Sequence, residues 1–488
     1  MCARLNQEVT WTVYIVVSWT KLLPSQNGDM VAAWVPAPLS SNAWAYPMRV
    51  LQVVGNTTAR SDPAGFVVQW LAELARRHRP GRGAPPPRRS PAWDGESFAA
   101  MHPNEAIPFN RPTSVASERA YMSDAIAYGR ISGDGAFTRK CHDFFERTLG
   151  VPKALLTTSC THALEMSALL LGVEPGDEVI VPSFTFVATA NAFALRGARI
   201  VFADIRPDTL NIDERALELL VTPRTRALVA VHYAGVGCEM DSIVATAQKH
   251  GIAVVEDNAH GLFGRYHGRY LGTFGAFATQ SFHETKNVTC GEGGALLIND
   301  RGYIEQAEIV REKGTNRSRY FRGEIDKYTW VALGSSYLPS DMLAAFLWAQ
   351  LEAYESIQQR REALWNHYAE GLADWAKQVG VGLPYVPPYC EQPYHMFYLM
   401  LPDVQSRQAL ISHLKNAGIT ATFHYIPLHS SEMGQRLGGR TGDCPVAESV
   451  SERLLRLPFY TGMTPSDQDR VIESVSAFRP TRLGVTDC

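Results

Sequence analysis

The stretch ALLTTSCTHALEMSALLLGVEPGDEVIVP, from Ala154 to Pro182, carries the pattern that decides the fold. Two short apolar runs of strand length, Ala154 to Thr158 and Glu178 to Pro182, flank a helical stretch from Thr161 to Leu171. A strand, a helix and a second strand in this order predict a parallel βαβ unit, because a crossover helix is the usual connection between parallel strands.

The same alternation continues along the chain. Further apolar runs of strand length lie at Ala198 to Ile205, Ala227 to Tyr233, Ile252 to Glu256 and Ala295 to Ile298. A helix is predicted from Asp241 to His250, with Gly251 at its C′ position. The sequence therefore predicts an α/β fold whose mainly parallel sheet is covered on both faces and binds ligands at the carboxyl ends of its strands.

The chain is predicted to contain two domains and an extension. We expect a large domain over residues 105–345 and a smaller C-terminal α+β domain over residues 346–488, with a long helical pattern from Asp341 to about Lys377 across the boundary. The first hundred residues hold six of the ten tryptophans and more basic than acidic residues. We expect residues 1–104 to be a disordered extension, or translated upstream sequence ahead of a start at Met101. An arm that binds nucleic acid or membrane through the arginine-rich segment Arg76 to Arg89 is the less favoured alternative.

The composition limits the class of protein. Hydrophobic residues make up 45% and charged residues 19% of the 488, which matches an ordinary soluble enzyme. The net charge of −3 argues against a dedicated nucleic-acid binder, because such proteins need a basic excess. The eight cysteines show no metal-binding spacing, so we predict no metal site and expect a reducing compartment, the cytoplasm. No stretch approaches the ~20 apolar residues that cross a bilayer, so no membrane span is expected.

Three local features point to chemistry. Ser159, Cys160 and Thr161 lie between a strand and a helix, where hydroxyl groups and free amides can bind a phosphate; a plain helix cap is the alternative. Glu256 and Asp257 end a buried strand, and because neighbouring strand residues face opposite sides, only one of them can enter a given site. The third feature is a lysine, described next.

Lys286 lies in SFHETKNVTCGEGG, Ser281 to Gly294, between a short β-type run and a glycine-rich turn. Burial lowers the pKa of an amine and makes it nucleophilic, although a solvated loop lysine is the simpler explanation for Lys286 alone. A phosphate cradle, a strand-end acid for a protonated pyridine nitrogen and a nucleophilic lysine are together what pyridoxal 5'-phosphate requires. The three features jointly predict this cofactor.

At these residues the sequence resembles a known family, the pyridoxal-phosphate-dependent sugar aminotransferases of the DegT/DnrJ/EryC/StrS type. The resemblance covers about residues Ile107 to Phe478. The segments that carry it are GDGAFTRKC (Gly133 to Cys141), TTSCTHALEMSALLL (Thr157 to Leu171), VPSFTFVATANAF (Val181 to Phe193), VHYAGVGCEMD (Val231 to Asp241), VVEDNAHG (Val254 to Gly261), SFHETKN (Ser281 to Asn287), REKGTNRS (Arg311 to Ser318), GSSYLPSD (Gly334 to Asp341) and FHYIPLH (Phe423 to His429). It implies aminotransferase fold type I and a homodimer with shared active sites.

The resemblance also implies roles in cofactor binding. Lys286 corresponds to the lysine that bonds to the cofactor and carries the proton, and Asp257 to the partner of the pyridine nitrogen. His260 falls near the cofactor ring and its 3-hydroxyl, and Phe186 where an aromatic side chain stacks on the ring. The phosphate cradle corresponds to Thr161, the backbone at Cys160 and His162, and Ser281.

Two positions bear on the type of reaction and on the dimer. Relatives that act as dehydratases have histidine in place of the lysine, so Lys286 favours transamination. Many relatives place an asparagine from the partner subunit near the cofactor phosphate at the position of Leu338, which cannot form that hydrogen bond. Ser335, Ser336 or Asn316 are the candidates to replace it.

Fewer sequence features indicate which residues bind the substrate. His424 and His429 could meet a sugar hydroxyl or a diphosphate, with a structural role as an equal alternative. Arg317 belongs to a basic cluster suited to a diphosphate or a partner subunit, with a solvated loop as the alternative. Tyr337 is expected to line the active site from the second chain.

Within the family, the last three segments most resemble enzymes that form dTDP-4-amino-4,6-dideoxygalactose. The predicted reaction transfers an amino group from L-glutamate to C4 of dTDP-4-dehydro-6-deoxy-D-glucose, giving that product and 2-oxoglutarate for surface polysaccharide synthesis. The alternatives are an aminotransferase for another keto-sugar nucleotide, an aminohydroxybenzoate-type aminating enzyme, and a non-enzymatic regulator that binds pyridoxal phosphate.

Overall fold

A computed structural model of the protein describes residues 9–16, 50–57 and 106–480. The chain divides into two compact units, Met1–Ala99 and Ala100–Cys488. In the first unit, strands β1 (Val9–Val16) and β2 (Val50–Thr57) pair antiparallel. This pair is regular structure within the segment that we expected to be disordered. The remainder of residues 1–104, including Arg76 to Arg89, lies outside the described residues, and the domain boundaries stay predictions.

The second unit contains the remaining strands and helices. Its strands are β3 (Lys153–Thr157), β4 (Glu178–Pro182), β5 (Arg199–Ala203), β6 (Thr225–Val231), β7 (Ala253–Asp257), β8 (Arg265–Tyr266), β9 (Arg269–Tyr270), β10 (Phe277–Ser281), β11 (Gly294–Ile298), β12 (Cys390–Glu391), β13 (Tyr398–Met400), β14 (Thr422–Phe423) and β15 (Leu454–Arg456). Its helices are α1 (Glu118–Ala127), α2 (Ala136–Leu149), α3 (Cys160–Leu170), α4 (Val187–Ala194), α5 (Leu217–Leu220), α6 (Met240–His250), α7 (Ile304–Arg311), α8 (Arg317–Phe321), α9 (Asp341–Glu352), α10 (Tyr354–Val379), α11 (Val404–Asn416), α12 (Glu432–Arg436), α13 (Pro445–Arg453) and α14 (Pro465–Ala477). Short 3₁₀ turns occur at Glu214–Ala216, Tyr233–Gly235, Arg301–Tyr303 and Leu428–Ser430.

The central sheet has seven strands in the order β3-β11-β10-β7-β6-β4-β5. β11 is antiparallel to both of its neighbours, while β10, β7, β6, β4 and β5 pair in parallel. The predicted α/β class with a mainly parallel sheet is confirmed. The six strands that run in one direction all end at the same edge of the sheet, which is where ligands bind in such folds.

The core lies on both faces of this sheet. Along β7, Val255 packs into the cluster beneath α3 and α4, whereas its neighbour Val254 packs on the opposite face with Ile243 of α6. Strand residues alternate between faces, so each buried strand serves two layers of helix. Gly251 ends α6 with a φ of 66°, a left-handed conformation that favours glycine, as predicted for its C′ position.

The helical pattern from Asp341 to about Lys377 is interrupted. It forms two helices, α9 and α10, which are separated at Ala353. Leu347 of α9 is buried in the core of the large sheet, whereas Leu364 and Tyr368 of α10 are buried in a second core. The break has no glycine or proline signal; it separates two helices whose apolar faces pack into different cores.

The second core belongs to a smaller C-terminal region. Its sheet has the antiparallel order β13-β15-β14, and α10, α11 and α14 pack against it. β15 ends with Arg456, which faces back toward the edge of the large sheet where the strands end. The smaller region thereby closes one side of that edge.

Candidate active site

A cavity of about 600 Å³ lies where the segments after β3, β7 and β10 meet the smaller C-terminal region. Most of the predicted site residues line it: Cys160, Thr161, Phe186, Asp257, His260, Ser281, Lys286 and His424. They come from five separate parts of the sequence: four are brought together at one edge by the topology of the large sheet, and His424 comes from the smaller region. The roles predicted for them stay predictions.

Asp257 is buried at the end of β7. Its Oδ2 accepts a hydrogen bond of 2.7 Å from the Thr189 hydroxyl, and its Oδ1 accepts one of 3.2 Å from the Ala259 amide. Burial raises the pKa of this carboxyl, and the hydrogen bonds and the nearby Lys286 oppose that rise. A buried carboxylate in this position can hold a cation such as a protonated ring nitrogen.

Glu256 faces the other side of the sheet. Its carboxylate accepts hydrogen bonds from the amides of Gly272, Phe274 and Gly275 and contacts Nε2 of His232 at 3.0 Å. Both carboxylate oxygens of Glu256 therefore already have hydrogen-bond partners within the protein. Of the two neighbouring acids, only Asp257 enters the cavity, as the alternation of strand side chains requires.

Lys286 extends into the same cavity from the loop after β10. Burial lowers the pKa of its amine to about 8, and the carboxylate of Asp257 opposes this shift. A substantial fraction of the amine is then neutral near physiological pH, which is the form that attacks a carbonyl carbon.

The N-terminus of α3 faces the cavity. Ser159 caps the helix by accepting a hydrogen bond of 3.1 Å from the His162 amide, which leaves the amides of Cys160 and Thr161 at the open end of the helix. A Cβ on Gly294 would overlap the backbone of Ser159 and Cys160, so glycine allows β11 to pack directly against this turn. The arrangement is a cradle for an anion.

The side chain of His162 is not part of this cradle. Its Nδ1 is hydrogen-bonded to the Thr158 hydroxyl, and its ring packs edge-on against Tyr337 at 5.2 Å. Since Ser159 already accepts a hydrogen bond from the His162 amide, that amide is not free for a phosphate. This position does not fit the contact predicted for His162.

Aromatic rings border the space between Lys286 and the solvent. Phe186 precedes α4 and is 58% exposed, so one face of its ring is available to a ligand. His260 stacks on His395 with 4.3 Å between ring centroids. Nδ1 of His260 is buried and has no hydrogen-bond partner within residues 106–480, so it is available to a polar atom of a bound ligand.

Three further residues of the cavity were missed by the sequence analysis. His395, Tyr425 and Arg456 line it from the smaller region. The available signal was weak: Arg456 is a charged residue in the otherwise apolar run LLRLPF, and His395 precedes the apolar run MFYL. Periodicity marks such strands as buried but does not show which other domain they face.

Three predicted substrate residues lie elsewhere. His429 is fully buried; its Nδ1 contacts the Ser183 hydroxyl at 2.5 Å and its Nε2 contacts Glu448 at 2.7 Å. This cluster joins β4 to the smaller region, so the position of His429 does not fit the predicted substrate contact. The hydroxyl of Tyr337 contacts Glu165 at 3.5 Å, and Tyr337 does not line the cavity of its own chain.

Arg317 lies in a separate surface cavity of about 240 Å³. It pairs with Glu312 at 3.1 Å and packs against the rings of Phe321 and Tyr328. Leu338 lines the same surface cavity. Within one chain, neither residue lines the cavity that contains Lys286. The contact with a partner subunit and, for Arg317, the solvated loop stay predictions.

The geometry agrees with comparisons to known proteins. Residues 112–476 match the model of the DegT/DnrJ/EryC1/StrS aminotransferase family. The chain belongs to this family. It is 33% identical over 381 residues to the spore coat polysaccharide biosynthesis protein SpsC of Bacillus subtilis (strain 168), covering 76% of this chain and 97% of SpsC.

Solved structures of the family share the fold. The aminotransferase TlmJ from Streptoalloteichus hindustanus has a TM-score of 0.70 and 32% identity, covering 76% of this chain and 98% of TlmJ. Spr1654 from Streptococcus pneumoniae, solved in a PLP form, has a TM-score of 0.70 and 27% identity, covering 76% and 98% of the two chains. A PMP form of Spr1654 is also known.

The DegT-family chain is thus a PLP-dependent aminotransferase of fold type I, and its cofactor is pyridoxal 5'-phosphate. The cavity fits that group: the end of α3 matches its phosphate, Asp257 its ring nitrogen and Lys286 its aldehyde. The predictions of family, fold class, enzyme class and cofactor are confirmed. The alternative of a non-enzymatic regulator is not favoured.

No helix in the ranges 9–16, 50–57 and 106–480 combines the length and apolarity that a bilayer crossing needs. Over the same ranges, no cluster of three or more histidine, cysteine, aspartate or glutamate side chains could hold a metal ion.

Proposed function

We propose that this enzyme transfers the amino group of L-glutamate to C4 of dTDP-4-dehydro-6-deoxy-D-glucose. The products are dTDP-4-amino-4,6-dideoxy-D-galactose and 2-oxoglutarate, and the pathway is the synthesis of a surface polysaccharide in the cytoplasm. The relation to SpsC, a polysaccharide biosynthesis protein, supports an aminotransferase for sugars. The free thiols of all six described cysteines fit a reducing compartment.

The observation that carries the proposal is the shared cavity of Lys286, Asp257 and the α3 N-terminus. Its volume of about 600 Å³ is within the usual range for small-molecule sites. Aromatic side chains, Phe186, Phe423 and Tyr425, border it and supply apolar faces for a sugar ring and a base. Phe423 is 46% exposed, so a long ligand can extend past it toward solvent.

Each catalytic residue has a defined task in this proposal. When bound, pyridoxal 5'-phosphate supplies an aldehyde that takes up the amino group and a ring that accepts electrons from the reacting carbon. Asp257 holds the ring nitrogen in its protonated form. Lys286 would hold the cofactor through its amine, and the same amine, when free and neutral, would accept the proton from the reacting carbon of the donor and donate a proton to the reacting carbon of the acceptor.

Another acceptor is the second candidate. The structure of a 3-amino-5-hydroxybenzoic acid synthase is similar to this chain, with 26% identity and a TM-score of 0.67. A different keto-sugar nucleotide or a cyclic ketone would use the same Lys286 chemistry. The side chains at the mouth, rather than Lys286 and Asp257, would distinguish these acceptors.

We also propose that the active enzyme is a homodimer. The segment that includes α8 exposes apolar side chains, here called the 320–333 patch: Tyr320, Phe321, Tyr328, Trp330, Val331 and Leu333. Trp330 is 72% exposed. Contiguous exposed apolar residues are typical of protein interfaces, and a second copy of the chain is the proposed occupant.

The reaction is tested by identifying the product. The purified enzyme is incubated with L-glutamate and dTDP-4-dehydro-6-deoxy-D-glucose, and the aminated sugar nucleotide is assigned by mass spectrometry and NMR. We expect amination at C4 with the galacto configuration. UDP-linked 4-keto sugars and 3-keto sugars serve as competing substrates, and preference for one of them would replace the proposed acceptor.

The variant Lys286→Ala tests the proposed mechanism. The variant should lose turnover and the absorbance of the covalently attached cofactor, because Lys286 is the only lysine among residues 106–480 that lines the cavity. Lys249→Ala, which removes a surface lysine paired with Glu218, should retain both. Retention of the absorbance and turnover by Lys286→Ala would contradict the proposed mechanism.

A further inference from the structure

His395 lines the active-site cavity from the smaller region, and its ring stacks on that of His260. The two ring centroids are 4.3 Å apart, and the ring planes are inclined by 20°. Since Nδ1 of His260 has no hydrogen-bond partner within residues 106–480, the orientation of this ring depends on its ring contacts. The other two are more distant: the centroid of Tyr233 lies at 6.0 Å and that of His424 at 6.2 Å. His395 is therefore the closest ring to His260 among these contacts.

The ring of His395 is itself fixed by Asn287, the residue after Lys286. The side-chain nitrogen of Asn287 donates a hydrogen bond of 2.6 Å to the carbonyl of Pro393, which can only accept. The side-chain oxygen of Asn287 therefore faces Nδ1 of His395, at 2.9 Å, and accepts a hydrogen bond from it. Nδ1 of His395 carries the proton, and one tautomer and one ring orientation are selected.

The backbone at His395 is held by Arg361, a buried side chain of α10. Its Nε donates to the carbonyl of Tyr394 at 2.9 Å, and its Nη2 donates to the carbonyl of His395 at 2.6 Å. Tyr394 has a φ of 54°, a left-handed conformation that is uncommon for residues other than glycine. Such a conformation persists only where the surroundings enforce it, and it is most frequent at functional sites.

Both stacked rings are neutral. Burial lowers the pKa of His395 well below its usual value, and the neighbouring His260 lowers it further. Burial, followed by the charge of Lys286, likewise lowers the pKa of His260 well below its usual value. Two neutral rings stack without charge repulsion, and each neutral ring keeps one nitrogen that donates and one that accepts.

The position of His260 shows what the stack can contribute. His260 follows the strand-end acid Asp257 by three residues and lines the same cavity as Lys286. Its buried Nδ1 is available to a polar atom of a ligand. Because a hydrogen bond weakens steeply as its angle departs from linear, rotation of the ring would cost His260 such a contact. A neighbour that fixes the ring plane preserves it without touching the ligand.

We propose that His395 is a positioning residue for His260: it fixes the plane of the His260 ring and so keeps Nδ1 available to the bound cofactor. Asn287 and Arg361 hold His395 in the orientation that this requires. The inference rests on the proposed function in one respect, the predicted place of His260 beside the cofactor ring. It connects the loop that carries Lys286 to the smaller region through side chains that do not take part in the chemistry.

The test is a double-mutant cycle on the enzyme loaded with pyridoxamine 5'-phosphate, the form of the cofactor that is held without a bond to Lys286. The rate constant for its release after dilution is measured by fluorescence. His260→Ala and His395→Ala should each raise this rate constant about 10-fold, as expected for the loss of one hydrogen bond. The double variant should also show about a 10-fold increase, because a residue that acts through His260 has no effect once that ring is absent.

Two further variants separate the stack from the hydrogen bond to Asn287. His395→Phe keeps a ring that can stack, and its release rate constant should stay within about threefold of wild type. His395→Gln keeps an N–H for Asn287 but has no ring, so it should resemble His395→Ala. The circular dichroism of the bound cofactor, which reports how its ring is held, should be retained in His395→Phe and reduced in His395→Gln.

A matched control is His367→Ala, which removes a part-exposed histidine of α10 paired with Asp469. It should change neither the release rate constant nor the circular dichroism. The comparison of His395→Phe with His395→Gln needs no alanine variant, so it decides the question even where His395→Ala fails to fold.

Three results would overturn the inference. The first is unchanged release of pyridoxamine 5'-phosphate in His395→Ala. The second is an increase of about 100-fold in the double variant, which would show that His395 acts independently of His260. The third is a release rate constant that His395→Gln preserves and His395→Phe does not. Failure of the proposed acceptor is distinguishable, because no donor or sugar is present in these measurements and a different sugar substrate would leave them unaffected. Unchanged release in His260→Ala alone would instead contradict the predicted place of His260, and the inference with it.

Discussion

At the scale of single residues, the proposed role of Lys286 in attaching the cofactor predicts a dependence on pH. Burial sets the pKa of this amine at about 8, and only its neutral form attacks the aldehyde. In enzyme freed of cofactor, the rate constant for covalent attachment of pyridoxal 5'-phosphate should therefore rise with pH and level off above about pH 8. An ordinary lysine would instead continue to gain rate beyond pH 10. Stopped-flow absorbance between pH 6 and 10 measures this profile.

The variant Asp257→Asn tests the direction in which the carboxylate of Asp257 shifts the pKa of Lys286. Asp257 stabilises the ammonium form of Lys286 and so raises its pKa against the effect of burial. In Asp257→Asn the midpoint of the profile should move to lower pH. A profile that rises steadily to pH 10 in the wild type, or a midpoint that moves upward in Asp257→Asn, would contradict this account.

The same residues show what sequence can predict about a site. Asp257 and Lys286 could be found because Asp257 ends a strand of the sheet and Lys286 lies in the loop after another, and the edge where strands end is fixed by topology. His429 could not be placed, since the sequence does not show that its ring lies between Ser183 and Glu448. Arg456 was missed because its role depends on how the smaller region packs against the large sheet.

At the scale of elements, the close packing of β11 against the start of α3 shapes the phosphate cradle. Gly294→Ala would place a Cβ against backbone atoms of Ser159 and Cys160, which cannot move aside as a flexible side chain can. We expect a loss of about 1–3 kcal/mol in the free energy of unfolding and weaker binding of pyridoxal 5'-phosphate. Thermal unfolding and cofactor titration measure the two effects.

Gly302→Ala is the matched control for this substitution. A Cβ at that position would meet only the side chain of Asp300, at 3.2 Å, so stability and cofactor affinity should remain close to wild type. If Gly294→Ala behaved like the control, the packing of β11 would not shape the cradle.

Elements were predicted well where local pattern and tertiary packing agree. β4 has the predicted bounds Glu178–Pro182, and the helix before Gly251 ends where predicted. The helical pattern predicted from Asp341 to about Lys377 forms two helices, because its two halves pack into different cores and separate at Ala353. Alanine favours helix, so the sequence carries no local signal for this break.

At the scale of the whole molecule, the 320–333 patch determines the expected assembly. Trp330→Lys puts a charge in the centre of the proposed interface, where burial without a partner is unfavourable. The variant should sediment as a monomer at concentrations where the wild type is a dimer, as measured by analytical ultracentrifugation. Leu219→Lys is the control, because Leu219 is 86% exposed on α5, outside the patch, and its replacement should leave the dimer intact.

The predicted sharing of active sites means that loss of the dimer should also reduce turnover. Arg317 and Leu338 do not reach Lys286 within one chain. A monomeric variant with full turnover would separate assembly from catalysis, and the active site would then be complete within a single chain.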